Sequence, residues 1–348
     1  MSRRLTVRTG AVSLRGELRA AWVLAALVAA ALALLTVSVG RGEYAIPPID
    51  VVAALAGAGD EATSFVVVDL RLPRALTAVL VGAALGLAGA VFQDLARNPL
   101  VAPDVIGISG GASLAAVSLI VLGGSGGAVS VPLAALCGAL ATGVGLYLLA
   151  WRGGIHGYRL VLIGVGVAAL MQAGISYVLT RGEVYEVVRA YVWLVGSLNG
   201  RGWEHVWPLA VALAVLVPVL VALVRRLTAL QLGDEVARAL GVRAERARLG
   251  LLAVAVALTG IAVSAAGPIA FVAFIAPHLA RALARSVAPG TVLPVAAGCG
   301  AVVVLGSDLA GRLLFAPTEI PVGIVTAIVS APYFLFLLAR ASRLGVTG

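Results

Sequence analysis

The chain has 348 residues, of which 61% are hydrophobic and only 12% charged, with a formal net charge of +9. Ordinary soluble domains carry about 45–50% apolar and about 25% charged residues, so a water-exposed globular surface is excluded and a lipid bilayer is the matching solvent. All 25 basic residues are arginine; without lysine no GxxxxGK[ST] phosphate loop can form, and nucleotide hydrolysis is not assigned to this chain.

A helix that crosses a bilayer needs about 20 consecutive, mainly apolar residues. In chain order the candidates are 20–40 and 75–93, then two within the uncharged run 105–151, which is split by "GGSGGAVSVP" at 123–132. Next come 160–180 and 206–224, two within 249–280 divided at Gly267 and Pro268, and finally 292–307 and 320–339. The total is ten. The eighth, from Pro268, meets Arg281 within thirteen residues, so it reads either as a tilted helix with a snorkelling arginine or as a broken, re-entrant segment. The first span is longer than a signal-peptide core and reads as an uncleaved anchor. Cys137 and Cys299 fall in apolar stretches and read as packing residues.

If the N-terminus is cytoplasmic and the spans alternate, all but seven of the 25 arginines lie inside. The seven outside are Arg41, Arg71, Arg74, Arg181, Arg189, Arg201 and Arg312. This bias satisfies the positive-inside rule and places both termini in the cytoplasm. The expected organisation is a cytoplasmic segment 1–19, a transmembrane domain 20–340 and a cytoplasmic tail 341–348. The positive charge is a topology signal, and nucleic-acid binding is not predicted.

One cytoplasmic stretch, 225–248, holds the unusual segment "LQLGDEVARALGVRAERAR" (230–248). Leu232, Val236, Ala239 and Leu240 recur at one-face helical spacing. Asp234 and Glu235 suit a first turn, Arg238 follows Asp234 by four residues, and Gly241 can end the helix in a left-handed conformation. A helix this short needs a surface to lie on, which can be the lipid interface, the rest of the chain or a soluble partner. No cofactor or metal site is predicted: His156, His205 and His278 are dispersed and lack ligand spacing. Asp94 and Asp308 sit near span ends, which argues against a proton relay and so against a secondary transporter. A non-transporting membrane scaffold is the other alternative.

Four stretches carry a family resemblance. "LRLPRALTAVLVGAALGLAGAVFQDLARNPLVAPDVIGISGGASLA" (70–115), "LGDEVARALGV" (232–242), "GPIAFVAFIAPHLAR" (267–281) and "EIPVGIVTAIVSAPYFLFLLAR" (319–340) resemble, in order, the iron-siderophore and cobalamin permease family of ABC importers, the FecCD-type transmembrane subunits. The resemblance implies an all-α polytopic protein of about ten transmembrane helices with type II ABC importer permease architecture. It implies a ferric siderophore as substrate, with cobalamin or haem as the alternative. The implied partners are ABC ATPase subunits, a second homologous permease subunit and an extracytoplasmic substrate-binding protein. "NPLVAPDVIGISGG" is closer to permeases that pair with a non-identical half, so a heterodimer is preferred over a homodimer.

The resemblance also assigns roles. Gly233, Asp234, Glu235, Val236, Arg238, Leu240 and Gly241 match the short helix that couples to the ATPase. Arg71, Arg74 and Arg312 match arginines that receive acidic side chains of the binding protein, although pairing with Asp308 is the simpler reading of Arg312. Asn98 and Leu100 match the cytoplasmic gate, and His156 and Gly157 fall where the family places another part of it. Gln172, Ser176 and Tyr177 lie on the fifth span, which with the tenth is expected to line the pathway. Interhelical hydrogen bonding explains these three equally well.

Overall fold

A computed structural model describes residues 4–9, 12–42, 45–123, 130–151, 157–314, 316 and 318–345. Among the described residues from Leu18 onward, helix is the regular secondary structure. Ahead of Leu18 the segment expected only as a cytoplasmic extension forms a short antiparallel hairpin, β1 (Arg4–Thr9) on β2 (Val12–Glu17), with Arg4 opposite Glu17.

Each of the ten predicted spans has its helix. They are α1 (Leu18–Gly40), α4 (Leu72–Ala96), α5 (Ile108–Leu122), α6 (Ser130–Ala150), α7 (Gly157–Leu179), α9 (Trp203–Gln231), α11 (Ala244–Ala266), α12 (Val272–Ala284), α13 (Pro289–Leu313) and α14 (Val322–Gly345). Between them lie elements the sequence reading did not assign: α2 (Pro48–Leu55), α3 (Glu61–Ser64), a π-helical turn at Phe65–Arg71 that runs into α4, and α8 (Val184–Leu194). The predicted short helix is α10 (Asp234–Ala239). Among the described residues, seven helices are long and apolar enough to cross a membrane, while α5, α12 and the described part of α14 are shorter apolar helices.

The bundle is organised around α4. Its apolar window is 78% buried against 11% for α1, because small residues on several sides let neighbours close on its backbone. Gly82 faces the Gly300 carbonyl of α13, and Gly89 faces the Ala273 carbonyl of α12, so that a methyl group at either position would overlap main-chain atoms. Helices α6, α7 and α9 sit at the periphery with one side open.

Helices α5 and α12 are short because both begin inside the bundle. After α4 the chain turns back, and Gly107 (φ 86°) lies against the backbone of Ala168, eleven residues or roughly 16 Å along α7. After α11, Gly267 and Phe271 take positive φ and α12 starts beside Gly89 in the body of α4. The eighth span is thus a half-length helix preceded by an extended entry, the re-entrant alternative. Asp104 joins the two starts: its carboxylate accepts from the Ser109 hydroxyl in the first turn of α5 and from the backbone N–H of Phe271 ahead of α12.

Candidate functional site

The end of the bundle that carries α10 is built on the close of α4. Asn98 precedes Pro99, which bars it from continuing the helix. Arg97 therefore turns left-handed at φ 50° and ψ 34°. Asn98 donates its N–H to the Gln93 carbonyl and accepts the Leu100 N–H on its side-chain oxygen at 2.9 Å, a local turn that leaves Leu100 43% exposed. Gly157 at the start of α7 packs on the Ala96 carbonyl, where a side chain would not fit. The structure thus brings Asn98, Leu100 and Gly157 to one place; His156 lies outside the described residues.

From this turn Arg97 reaches two other elements. Its guanidinium donates to the Leu230 carbonyl in the last turn of α9 and to Asp234 at the start of α10, 3.1 Å away. Asp234 also binds Arg248 of α11, which lies 3.5 Å from Glu245. Burial works to raise the Asp234 carboxyl, but the hydrogen bond and charge of Arg248, with the charges of Arg97 and Arg238, outweigh it and hold the group below its ordinary value. The expected Asp234–Arg238 pairing is replaced by these two longer-range partners, because the first turn of α10 points into the bundle rather than along its own surface. A neighbouring set extends to α12: Arg281 binds Asp94 at 2.9 Å and the Gln93 side chain, whose amide donates to the Phe274 carbonyl.

Helix α10 itself ends at Gly241 in the left-handed conformation the sequence predicts (φ 78°), and Gly233 ahead of it also takes positive φ (111°). The apolar positions differ from a simple buried stripe. Ala237 is fully buried, whereas Leu232, Val236 and Leu240 are 62%, 45% and 63% exposed. Glu235 and Arg238 are exposed beside them. A rigidly held helix therefore presents leucine and valine to the outside.

At the opposite end, Arg71 in the π turn donates to the Val39 carbonyl at 2.9 Å. Arg74, at the start of α4, pairs with Asp308 of α13 and with Glu319, each at 3.0 Å. Arg312 pairs with the same Asp308 at 3.2 Å, the i,i+4 contact expected from the sequence, and also donates to the Ser38 hydroxyl. The three arginines form one cluster, close enough for Arg312 to repel both Arg71 and Arg74. Asp308 is 2% exposed and Glu319 is 41% exposed, so the cluster has a buried anchor and a rim acid.

On α7, Gln172, Ser176 and Tyr177 all face outward, with Arg181 donating to the Tyr177 hydroxyl at 2.9 Å. They lie on the open side of the helix, not between helices of this chain.

A family model for the FecCD transport family matches residues 27–340. The chain belongs to the FecCD transport family. This FecCD protein is 42% identical over 312 residues to an achromobactin transport system permease protein of Dickeya dadantii, covering 89% of this chain and 88% of the relative. It is 41% identical over 302 residues to the ferric enterobactin transport system permease protein of Escherichia coli, covering 87% and 91%. Among solved structures, a metal-chelate type ABC transporter in an inward-facing conformation superposes with a TM-score of 0.83 at 29% identity, covering 92% of this chain and 99% of the other. The FecCD protein is accordingly a multi-pass membrane protein with the architecture of an ABC importer permease.

Sequence reasoning missed the roles of Arg97, Arg248 and Glu319 in these sites. Only Arg97 left a trace, as the last residue before an Asn-Pro helix break.

Proposed function

We propose that this chain is the transmembrane permease subunit of an ATP-driven importer of ferric siderophores in the bacterial cytoplasmic membrane. It forms the translocation path with a second, non-identical permease half, whose place is the open side of α7 that carries Gln172, Ser176 and Tyr177. The α10 end and both termini face the cytoplasm, a reading the arginine bias supports. Hydrolysis belongs to separate ATPase subunits, onto which α10 docks. On the other side a substrate-binding protein seats on the cluster of Arg71, Arg74 and Arg312, one of its carboxylates displacing Glu319 from Arg74.

The observation that carries this reading is the divided character of α10. Its inward side is tied through Asp234 to Arg97 at the close of α4 and to Arg248 of α11, with Arg97 in turn bound to α9, and its outward side offers Leu232, Val236 and Leu240. A helix so held transmits a push from a docked partner as a rigid body to three helices at once. Cells with and without the chain, given a panel of radio-iron siderophores, test the substrate; absence of any chain-dependent uptake refutes it. In the same cells Leu240→Asp should reduce uptake to background while insertion stays normal, because the exposed leucine contributes no more than about 0.5 kcal/mol to the fold. ATP-driven uptake at the wild-type rate by that variant would remove α10 from the coupling role. Full transport with ATPase but no second permease would replace the heterodimer by a homodimer.

A further inference from the structure

A cavity of about 830 Å³ opens at the end of the bundle opposite α10, between the ends of α5 and α6, the short helix α8, the loop 195–202 and the entry to α14. Its volume lies in the range of about 300–1,000 Å³ typical of small-molecule sites. The walls are partly apolar, with Ile120, Val192, Trp193 and Pro321 among them, and partly polar. The charged groups within it are unevenly satisfied.

The two acids of the lining are already engaged. Glu319 is bound to Arg74, and Glu204 accepts the Gly202 N–H and lies 3.0 Å from Nδ1 of His205. Two lining cations are not. Among the described residues, the ion pairs of arginine involve Arg74, Arg97, Arg248, Arg281 and Arg312, and neither Arg189 nor Arg201 takes part. Arg189 lies over the Tyr185 ring at 6.0 Å. Arg201 is held more firmly: Nε donates to the Ser197 carbonyl at 3.4 Å and Nη1 meets Nε2 of His205 at 3.0 Å. Because a guanidinium can only donate, Nε2 of His205 must be the acceptor. Its proton is then on Nδ1, which lies 3.0 Å from Glu204 without forming a hydrogen bond. His205 and the Ser197 carbonyl thus orient the guanidinium through Nη1 and Nε, and Nη2 remains for a ligand. Burial pushes the Arg201 guanidinium below its ordinary value, with the Glu204 charge opposing; a cation in that position gains most from an added anion.

We infer that this cavity is an entry site for the chelate itself, selective for ferric chelates with net negative charge, with Arg201 and Arg189 as the groups that receive its anionic oxygens. The inference rests on the permease reading above and adds the charge class of the substrate. Arg201 supplies a fixed donor at Nη2, Arg189 an exposed charge beside it, and Trp193 with its apolar neighbours a surface for aromatic or aliphatic arms of the ligand.

The test separates chelate from the two other sources of anionic oxygen, the binding protein and the lipid. The full chain, purified with the subunits that co-purify with it, is placed in phosphatidylcholine nanodiscs without binding protein. Radio-iron binding is then measured for a triply anionic ferric tricatecholate and for an uncharged ferric trihydroxamate. The wild type should bind the anionic chelate more tightly. Arg189→Gln with Arg201→Gln should weaken that binding at least about tenfold, the scale of one lost charge-assisted hydrogen bond, and leave the trihydroxamate unchanged. Arg201→Lys in a wild-type background should restore part of the affinity lost in Arg201→Gln, which a merely misfolded variant would not. Equal binding of both chelates by the wild type overturns the inference, as does undiminished tricatecholate binding by the double variant. Uptake of chelates in cells irrespective of charge overturns the inference and leaves the permease reading intact. Absence of any uptake removes both.

Discussion

Replacing Asp234 by Asn tests whether α10 is held as tightly as its partners imply. The substitution keeps size and removes the charge that Arg97 and Arg248 share. Arg248 is 10% exposed and Asp234 25% exposed, so their pair is nearer to a buried than to a surface ion pair. Breaking a buried pair costs about 3–5 kcal/mol, and the partial access of Asp234 places this one toward the lower end. Arg97, at 47% exposure, adds at most about 1 kcal/mol. Glu245, 3.5 Å from Arg248, recovers part of the loss. The net is about 2–3 kcal/mol against local opening, or roughly a 30- to 150-fold rise in amide exchange for residues 234–240, since each 1.4 kcal/mol is tenfold. Hydrogen–deuterium exchange in nanodiscs reads this directly, with peptides from α6 as the internal control. Exchange within a factor of three of wild type in that segment would refute the claim that Asp234 anchors α10.

The same carboxylate sets a pH window. Its value is held below the ordinary 3.8, so its contribution is complete above that value and disappears as pH falls through the lower, folded value; exchange in α10, corrected for intrinsic rates, should be unchanged from pH 7 to pH 5 and rise only below about 3.8. Gly89→Ala places a methyl group against the Ala273 carbonyl, and a sharply lower thermal midpoint of the purified protein is expected because backbone cannot move aside cheaply. Arg71→Glu leaves the Arg74–Asp308 pair in place and should abolish binding-protein affinity at low salt with expression near wild type; affinity equal to wild type would return Arg71 to a helix-end role. Reversing Arg74 as well would set a third acid beside Asp308 and Glu319, so the double variant should lose expression besides docking, which a membrane-fraction blot measures.

The membrane spans were legible because hydrophobic run length is a local property. The C-terminal end of α10 was legible for a related reason: Gly241 marks a backbone conformation that other residues avoid. The register of α10 was not, because one-face periodicity identifies an apolar stripe without saying whether the chain or a partner covers it. The stripe at Leu232, Val236 and Leu240 is exposed, and Ala237 and Asp234 make the inward contacts. Helix α8 carried a readable signal that went unused: Glu186 accepts the Glu183 N–H at 3.3 Å, an acidic capping arrangement ahead of an apolar run. Other features had no local signal at all. Arg97 and Asp234 are 137 residues apart, and Arg74 meets Asp308 across 234; only the packing of α4 against its neighbours brings them together.

The meeting of α5 and α12 at Asp104 has an electrical consequence. Each helix start carries the equivalent of about half a positive charge, so two of them facing one carboxylate make a nearly neutral group at a half-buried position without a cationic side chain. Separating the two starts would leave both the carboxylate and the dipole ends without their partners. The two starts are therefore expected to move together. Any rearrangement that opens a passage must bend the chain on either side of them, at the turn after Arg97 or at Gly267 and Pro268, and these are the positions at which to look for the hinges of a transport cycle.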